Sequence, residues 1–271
     1  MEFLAGVLEF FQTHSAVPRP YGAFHLLFFA GSVALGALLA AKLKNPSERT
    51  VRKLLLAVGI TVLLLEIYKQ IALSFFVTAE GIIFRYDWRI FPWQFCSTPM
   101  YVYLLGALVK KGMHSRACSY LAGYSTFAGL VVMISPSDVF VNVAGINLQT
   151  MVCHGAMLTV GVFLLFSGYI KTDLRSFLRG VPIFAAALAT AIILNEVSFY
   201  SGILEQGHFN MFFLNPHCAP EMPILSWFQR NFPSPVPQLA YLFIFSAIAL
   251  GIFLLASVAK KLLGRRAEKT E

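Results

Sequence analysis

Apolar runs, each about as long as a membrane-spanning helix, recur along the chain, and charged residues are concentrated between them. A transmembrane helix needs about 20 mainly apolar residues. Each run therefore predicts one span. The seven runs are 21–42, 52–75, 93–110, 116–135, 147–170, 177–200 and 237–260. The pattern predicts an all-α, polytopic membrane protein with about seven transmembrane helices.

The segments outside these runs are short. Met1 to Gln12 contains Glu2 and Glu9 instead of the basic start of a cleavable signal peptide. We therefore expect residues 1–20 to be an interfacial segment with a short amphipathic helix. Residues 21–260 would form the seven-helix bundle and 261–271 a basic tail, all within one membrane domain.

Lysine and arginine residues are unevenly divided between the two sides of the predicted bundle. Only Arg19, Arg85, Arg89 and Arg230 fall on one side. The other side carries Lys42, Lys44, Arg49, Arg52, Lys53, Lys110, Lys111, Arg116, Lys171, Arg175, Arg179, Lys260, Lys261, Arg265, Arg266 and Lys269. Because basic connectors stay in the cytoplasm, we expect the amino terminus outside and the carboxyl terminus in the cytoplasm.

Composition supports a membrane protein and weakens other interpretations. The chain is 58% hydrophobic and 13% charged, with a mean hydropathy of +0.70, more apolar surface than one soluble core can bury. The net charge of +8 lies on alternate connectors, so it indicates orientation and does not call for a nucleic-acid partner. Four cysteines at no CxxC spacing indicate neither a disulfide framework nor a zinc ribbon.

Polar residues converge on the outer halves of four predicted spans. A charged group inside a bilayer costs several kcal/mol, so such residues need a partner or a function. One polar pocket that opens outward would explain them together. The residues are Glu66, Lys69, Gln94, Cys96, Gln149, His154, Asn195 and Glu196.

Two of these residues could carry chemistry. Pro92 suits the first turn of a helix, which would place Cys96 in or near the opening turn, where the helix dipole favours a thiolate. His154 lies at a similar depth in the fifth run. A cysteine beside a histidine that can take its proton is the pairing needed for acyl transfer through a thioester.

Other interpretations remain open. Glu66 and Lys69, one turn apart, could be a structural ion pair, Cys96 an apolar filler, and His154 a hydrogen-bonding link between helices. A polar pocket also suits a transporter or solute-binding protein. A metal-dependent membrane hydrolase would use several candidate ligands, although no HxxxH, HExxH or HxxxD spacing supports it. Those ligands are Glu66, Cys96, His154, His208 and His217.

Four motifs occur in a characteristic order along the chain. They are PWQFC at 92–96, ISPSD at 134–138, QTMVCHG at 149–155 and NMFFLNP at 210–216. In order and spacing they resemble the YwaF family of bacterial membrane proteins, which is grouped with the eukaryotic transmembrane protein 164 acyltransferases. Positions that match the family are Cys96, His154 with Gly155, Asn210 and Pro216.

The resemblance runs from about residue 60 to 245, and Gln94 stands where many bacterial members have histidine. It implies transfer of acyl chains between membrane phospholipids in the bacterial cell membrane, without a soluble cofactor or a bound metal. Cys96 would be the nucleophile and His154 the general base. Membrane lipids would be both surroundings and substrate. The expected substrate-binding residues are Glu66, Lys69, Gln94, Gln149, Asn195, Glu196 and Asn210, of which Gln94 or Asn195 would donate to the oxyanion.

Overall fold

The computed structural model describes residues 2–136, 139–203 and 208–267, and these contain nine α-helices. Ser137 and Asp138 of the second motif, and residues 268–271 with Lys269, lie outside the described residues. The all-α prediction is confirmed. The helices are α1 Glu2–Phe11, α2 Ala23–Lys42, α3 Glu48–Ser74, α4 Thr98–Leu108, α5 Lys111–Ile134, α6 Ala144–Phe166, α7 Leu174–Tyr200, α8 Pro223–Asn231 and α9 Val236–Ala267.

Each of the seven apolar runs carries a helix, but within the described residues only six helices are long and apolar enough to cross a membrane. The run 93–110 forms α4, which has 11 residues and is about 16 Å long, against a bilayer core of about 30 Å. The expected helix start at Pro92 is wrong. The helix begins at Thr98 because Pro99, which lacks an N–H, fits its first turn.

Backbone hydrogen bonds join separate connecting segments at each end of the bundle. At the basic end, made of connectors 43–47, 109–110 and 167–173, the Asn45 backbone N–H donates to Ser167 O at 2.7 Å. At the loop end, made of the described residues of segments 75–97, 135–143 and 201–235, Ser15 N–H donates to Asn142 O at 2.9 Å. Connectors 43–47 and 167–173, which contain Lys44 and Lys171, therefore meet in space.

Helices α5 and α6 form the centre of the bundle. In their most apolar stretches 72% and 78% of the residues are buried, against 17–33% in the other long helices, whose outer faces remain for lipid. A wide π-helical turn at Leu121–Ser125 interrupts α5. The hydroxyl of Thr126 donates to the carbonyls of Leu121 and Ala122 there, which satisfies backbone that the wide turn leaves without regular partners.

The loop end contains structure that the hydrophobic runs did not predict. Strands Phe75–Thr78 and Gly81–Phe84 form an antiparallel hairpin, and α8 lies within the expected connector 201–236. Aromatic and β-branched residues on both sides of Gly81, which has φ of 125°, are the sequence signal for the hairpin. Helix α9 continues to Ala267, so residues 261–267 of the expected tail are helical.

The amino-terminal helix α1 lies against the loop end of α3. Its Leu8 is buried, whereas Phe3 and Phe10 are 85% and 75% exposed. Gln12 donates from Nε2 to Ala72 O at 2.8 Å and also contacts Phe75 O. The exposed aromatic face is what a helix in the membrane interface needs, and this location stays a prediction.

The orientation can be tested with single cysteines at exposed positions of the two ends. We expect Asn231→Cys to react with a membrane-impermeant maleimide in intact cells, because α8 belongs to the loop end. Lys44→Cys at the basic end should react only after permeabilisation. Labelling is measured as the increase over the parent protein, and the opposite pattern would reverse the predicted topology.

Candidate functional site

The segment before α4, residues 91–97, is irregular backbone that inserts among the helices at the loop end. Phe95 anchors it, with its ring surrounded by aromatic rings at centroid distances of 5.1–5.9 Å. These rings come from three helices and one loop, so the segment is fixed from several sides. They belong to Phe127, Phe184, Phe212 and Phe245.

Two amide side chains bind the backbone of the fourth motif. Gln94 donates from Nε2 to Asn210 O at 2.8 Å and accepts the Phe212 N–H at Oε1, at 2.9 Å. Asn195 donates from Nδ2 to Met211 O at 3.0 Å and accepts the Met211 N–H at 2.8 Å. The oxygen and one N–H of each amide therefore hold residues 210–212 in place.

The fourth motif also binds itself together. Asn210 Oδ1 accepts the Asn215 N–H at 2.9 Å, and Asn215 Nδ2 donates to Phe209 O at 2.6 Å. Phe212 and Phe213 both have φ of 57°, a left-handed conformation that is costly for bulky residues. The hydrogen bonds made by the side chains of Gln94, Asn195 and Asn210 hold the loop in this strained conformation.

The predicted ion pair between Glu66 and Lys69 is present, with 2.8 Å between Lys69 Nζ and Glu66 Oε1. The two side chains are 10% and 17% exposed. Gln70 donates from Nε2 to Glu66 Oε1 at 2.7 Å and to Ile90 O at 2.8 Å, which ties the pair to the segment that leads into Cys96. Tyr86 donates to Gln70 Oε1 at 2.9 Å, and burial, with Glu66 nearby, raises the pKa of Tyr86 to about 12.

Cys96 lies two residues before α4 and is half-buried. It therefore lies just outside the helix, next to the opening turn. The backbone N–H groups of Ser97 and Thr98 both bind Gln94 O, at 2.8 and 3.1 Å, and form a tight turn around Cys96. The Thr98 hydroxyl donates to Phe95 O at 2.9 Å, so it binds the carbonyl that Pro99 cannot.

His154 has one ring nitrogen bound and the other without a partner. Its Nδ1 lies 2.7 Å from Thr150 O, which assigns the proton to Nδ1 because a carbonyl can only accept. The imidazole is 8% exposed, and its buried Nε2 has no hydrogen-bond partner. An unsatisfied buried acceptor is unfavourable, so it needs a structural or functional explanation.

The two candidate catalytic residues both lie near the Glu66–Lys69 ion pair. The ammonium of Lys69 is within electrostatic range of His154 and of the thiols of Cys96 and Cys153. Gln149 Nε2 lies 3.5 Å from Cys153 Sγ, so it borders the same region. We call Glu66, Lys69, Cys96, Cys153 and His154 the polar cluster. Its described contacts include no hydrogen bond between Cys96 and His154.

The remaining predicted residue, Glu196, lies apart from the polar cluster. Its Oε2 is 3.2 Å from His217 Nε2, and the His217 ring stacks on Phe199 at 3.7 Å between centroids. His208 and Asn210 both bind Glu221 Oε1 farther along the loop, at 2.6 and 2.9 Å. The described residues contain no group of three His, Cys, Asp or Glu side chains that could hold a metal ion.

Sequence reasoning missed three residues that matter here. Gln70 follows Glu66 by four positions and so shares its helix face, which is a readable signal. Cys153 adjoins His154. Tyr86 gave no signal, because its contact with Gln70 depends on how the hairpin folds back.

Comparison with known proteins places these features in a family. The TMEM164 family model matches residues 20–257, a range that includes all four motifs. No curated protein matches the chain, and no solved structure does.

Asn195→Ala should destabilise the protein, because it leaves the buried N–H of Met211 without a partner, whereas Met211 O still accepts the Leu214 N–H at 3.2 Å. One such buried group costs about 1–3 kcal/mol, so we expect a loss of that size in the free energy of unfolding. Unfolding is followed in mixed micelles with increasing denaturing detergent. Asn231→Ala removes an exposed amide from the same end and should change stability by less than about 0.5 kcal/mol. Equal effects would contradict the role of Asn195.

Removing one charge of the Glu66–Lys69 pair should lower the free energy of unfolding more than removing both charges. Lys69→Met alone leaves the Glu66 carboxylate buried without its cation, a loss of about 3–5 kcal/mol. The double variant Glu66→Gln with Lys69→Met should be clearly more stable than Lys69→Met. The same unfolding assay measures both, and simple additivity of the two single changes would show that the pair is not coupled.

Proposed function

Because the chain belongs to the TMEM164 family of integral membrane proteins, we propose that it is a membrane phospholipid acyltransferase. Cys96 is the nucleophile and His154 the general base, in the bacterial cell membrane. One observation carries this proposal: the buried Nε2 of His154 is an acceptor that has no hydrogen-bond partner. His154 belongs to the same polar cluster as Cys96. The roles match those that the motif resemblance implied.

His154 has the tautomer that a general base requires. The bond from Nδ1 to Thr150 O leaves the lone pair on Nε2 for a proton. The imidazole lies within helix α6, at the centre of the bundle, so its orientation is fixed before substrate arrives. Helix α5 approaches α6 closely at His154, because α5 has a glycine, Gly129, at the contact. A Cβ at that position would lie only 2.8 Å from the His154 carbonyl oxygen.

Cys96 is positioned by the residues immediately before it. Gln94 is hydrogen-bonded to the fourth motif, and Phe95 packs against the aromatic rings around it. These contacts fix the backbone that carries the Cys96 thiol. The amino terminus of α4 begins two residues after Cys96 and the ammonium of Lys69 favours a negative charge on sulfur, but burial of the thiol opposes ionisation more strongly. The thiol therefore needs a base to take its proton as the sulfur attacks. Proton transfer to His154 then needs a bridging water or a side-chain rotation, as is common before substrate binds.

The reaction proceeds in two steps, acylation of Cys96 and transfer of the acyl chain to an acceptor. The Cys96 thiol gives its proton to His154 Nε2, and the sulfur bonds to the ester carbonyl carbon of a phospholipid. The ester C–O bond breaks, and the leaving glycerol oxygen takes the proton from His154, which leaves the acyl chain as a thioester. His154 then takes the proton of a lysophospholipid hydroxyl, whose oxygen attacks the thioester. The C–S bond breaks and the proton returns to sulfur.

An apolar groove provides room for an acyl chain beside His154. It has a volume of about 490 Å³ and lies between α2 and α6, with Val58 of α3 at its side. Met151 and Gly155, neighbours of His154 along α6, line it together with Phe28 of α2. Its lining is almost entirely apolar, which suits lateral access from the bilayer.

The proposal predicts a covalent acyl adduct on Cys96. Purified protein in lipid nanodiscs is incubated with a phospholipid that carries an alkyne-tagged acyl chain, and the adduct is identified by its cleavage with neutral hydroxylamine. We expect no adduct with Cys96→Ser. His154→Gln should slow its formation about 100-fold or more, the usual contribution of a general base.

Cys153→Ser is the matched control, because it changes another thiol of the polar cluster and should keep the adduct and lipid turnover. Adduct formation that survives both Cys96→Ser and His154→Gln would overturn the mechanism. Solute uptake that depends on Glu66 and Lys69 would then favour a transporter. Activity that a chelator abolishes and added metal restores would favour a metal-dependent hydrolase.

A further inference from the structure

A polar cavity lies at the basic end, and none of its lining residues belongs to the polar cluster. It has a volume of about 450 Å³ and is bounded by the first turns of α5 and α7 and by connector 167–173. Four cationic side chains line it, and none of them belongs to the polar cluster. They are Lys111, Lys171, Arg175 and Arg179.

The two carboxylates of this cavity have other partners. Glu48 Oε1 pairs with Arg52 Nη2 at 2.9 Å. Asp173 Oδ1 accepts the Ser176 N–H at 2.7 Å, which caps α7, and this bond lowers the pKa of Asp173. No ion pair in the described part of the chain uses any of the four cations. The cavity therefore has an excess of positive charge.

Hydrogen bonds order the walls of the cavity. His114 Nδ1 binds Gly106 O at 2.5 Å, so Nε2 accepts the Tyr169 hydroxyl at 2.6 Å and joins α4, α5 and connector 167–173. Arg179 Nη1 donates to Ser115 Oγ at 3.3 Å across the α5–α7 contact. Ser119, which is 2% exposed, adds a hydroxyl to the lining. The cations therefore surround a shaped cavity and are not simply spread along a connector.

We propose that this cavity binds a phosphate group. Arginine and lysine side chains that converge from several directions match the oxygens of a tetrahedral phosphate. The first turn of α5 has no side-chain cap, so its N–H groups add to the attraction for an anion. The phosphate belongs either to the headgroup of an anionic phospholipid, which basic pockets between transmembrane helices recognise, or to a soluble phosphate ester. This proposal does not depend on the chemistry of Cys96.

The test compares two pairs of neutralised cations. Arg175→Gln with Arg179→Gln removes two charges from the cavity, and Arg49→Gln with Lys53→Gln removes two exposed charges from the same end outside it. Protein in phosphatidylcholine nanodiscs is titrated with inorganic phosphate and with glycerol 3-phosphate, and binding is read as a shift in thermal unfolding. A parallel series replaces part of the phosphatidylcholine with phosphatidic acid, and native mass spectrometry counts the retained lipid.

We expect the cavity variant to bind at least about tenfold more weakly than the unchanged protein and the control variant to bind normally. Retention of phosphatidic acid alone identifies a lipid headgroup, and binding of the soluble probes identifies a soluble ester. Equal weakening by both variants would overturn the proposal, because the basic connectors would then act only through general charge. Absence of saturable binding to every probe would overturn it as well.

Discussion

The structure at the loop end depends on one constraint, which is that irregular backbone inside a helical bundle must have its hydrogen bonds satisfied by protein. Residues 91–97 and 209–215 both leave helical conformation among buried aromatic rings. Residues 209–212 are buried and residues 91–97 are at least partly buried, so water can satisfy only part of their backbone. Gln94 and Asn195 solve this problem because a carboxamide offers both a donor and an acceptor, the same pair that a strand or a helix would offer. The position of Cys96 follows from that solution.

The sequence predicted what depends on local pattern. Helix existence followed from apolar length and from the alternation of basic connectors, and the Glu66–Lys69 pair followed from helical spacing. The start of α4 was misplaced because two prolines, Pro92 and Pro99, each suit a first turn, and only the packing of Phe95 in three dimensions selects the second.

The roles of the polar residues were harder to predict. Gln94 and Asn195 looked like parts of a substrate pocket, since polarity inside a membrane usually indicates function. Their oxygen atoms instead bind the main chain of the fourth motif. The polar residues that the sequence groups together are therefore of two kinds. Some belong to the polar cluster, and others bind the backbone of the fourth motif. Sequence spacing cannot separate them, because the deciding contacts join residues more than 100 positions apart in the case of Gln94.

The long separation between Gln94 and Asn210 has a consequence for the order in which the protein is made. Chains are synthesised from the amino terminus at roughly 5–20 residues per second, so α2 to α6 can enter the membrane before residues 209–215 exist. During that interval the segment around Cys96 has no partner for its amide side chain, and the strained Phe212–Phe213 turn has not formed. The thiol is therefore placed only late in biosynthesis, after most of the bundle is already in the bilayer. A chain that ends before residue 209 would therefore be inserted with the segment around Cys96 still lacking the bonds from Gln94 to the fourth motif.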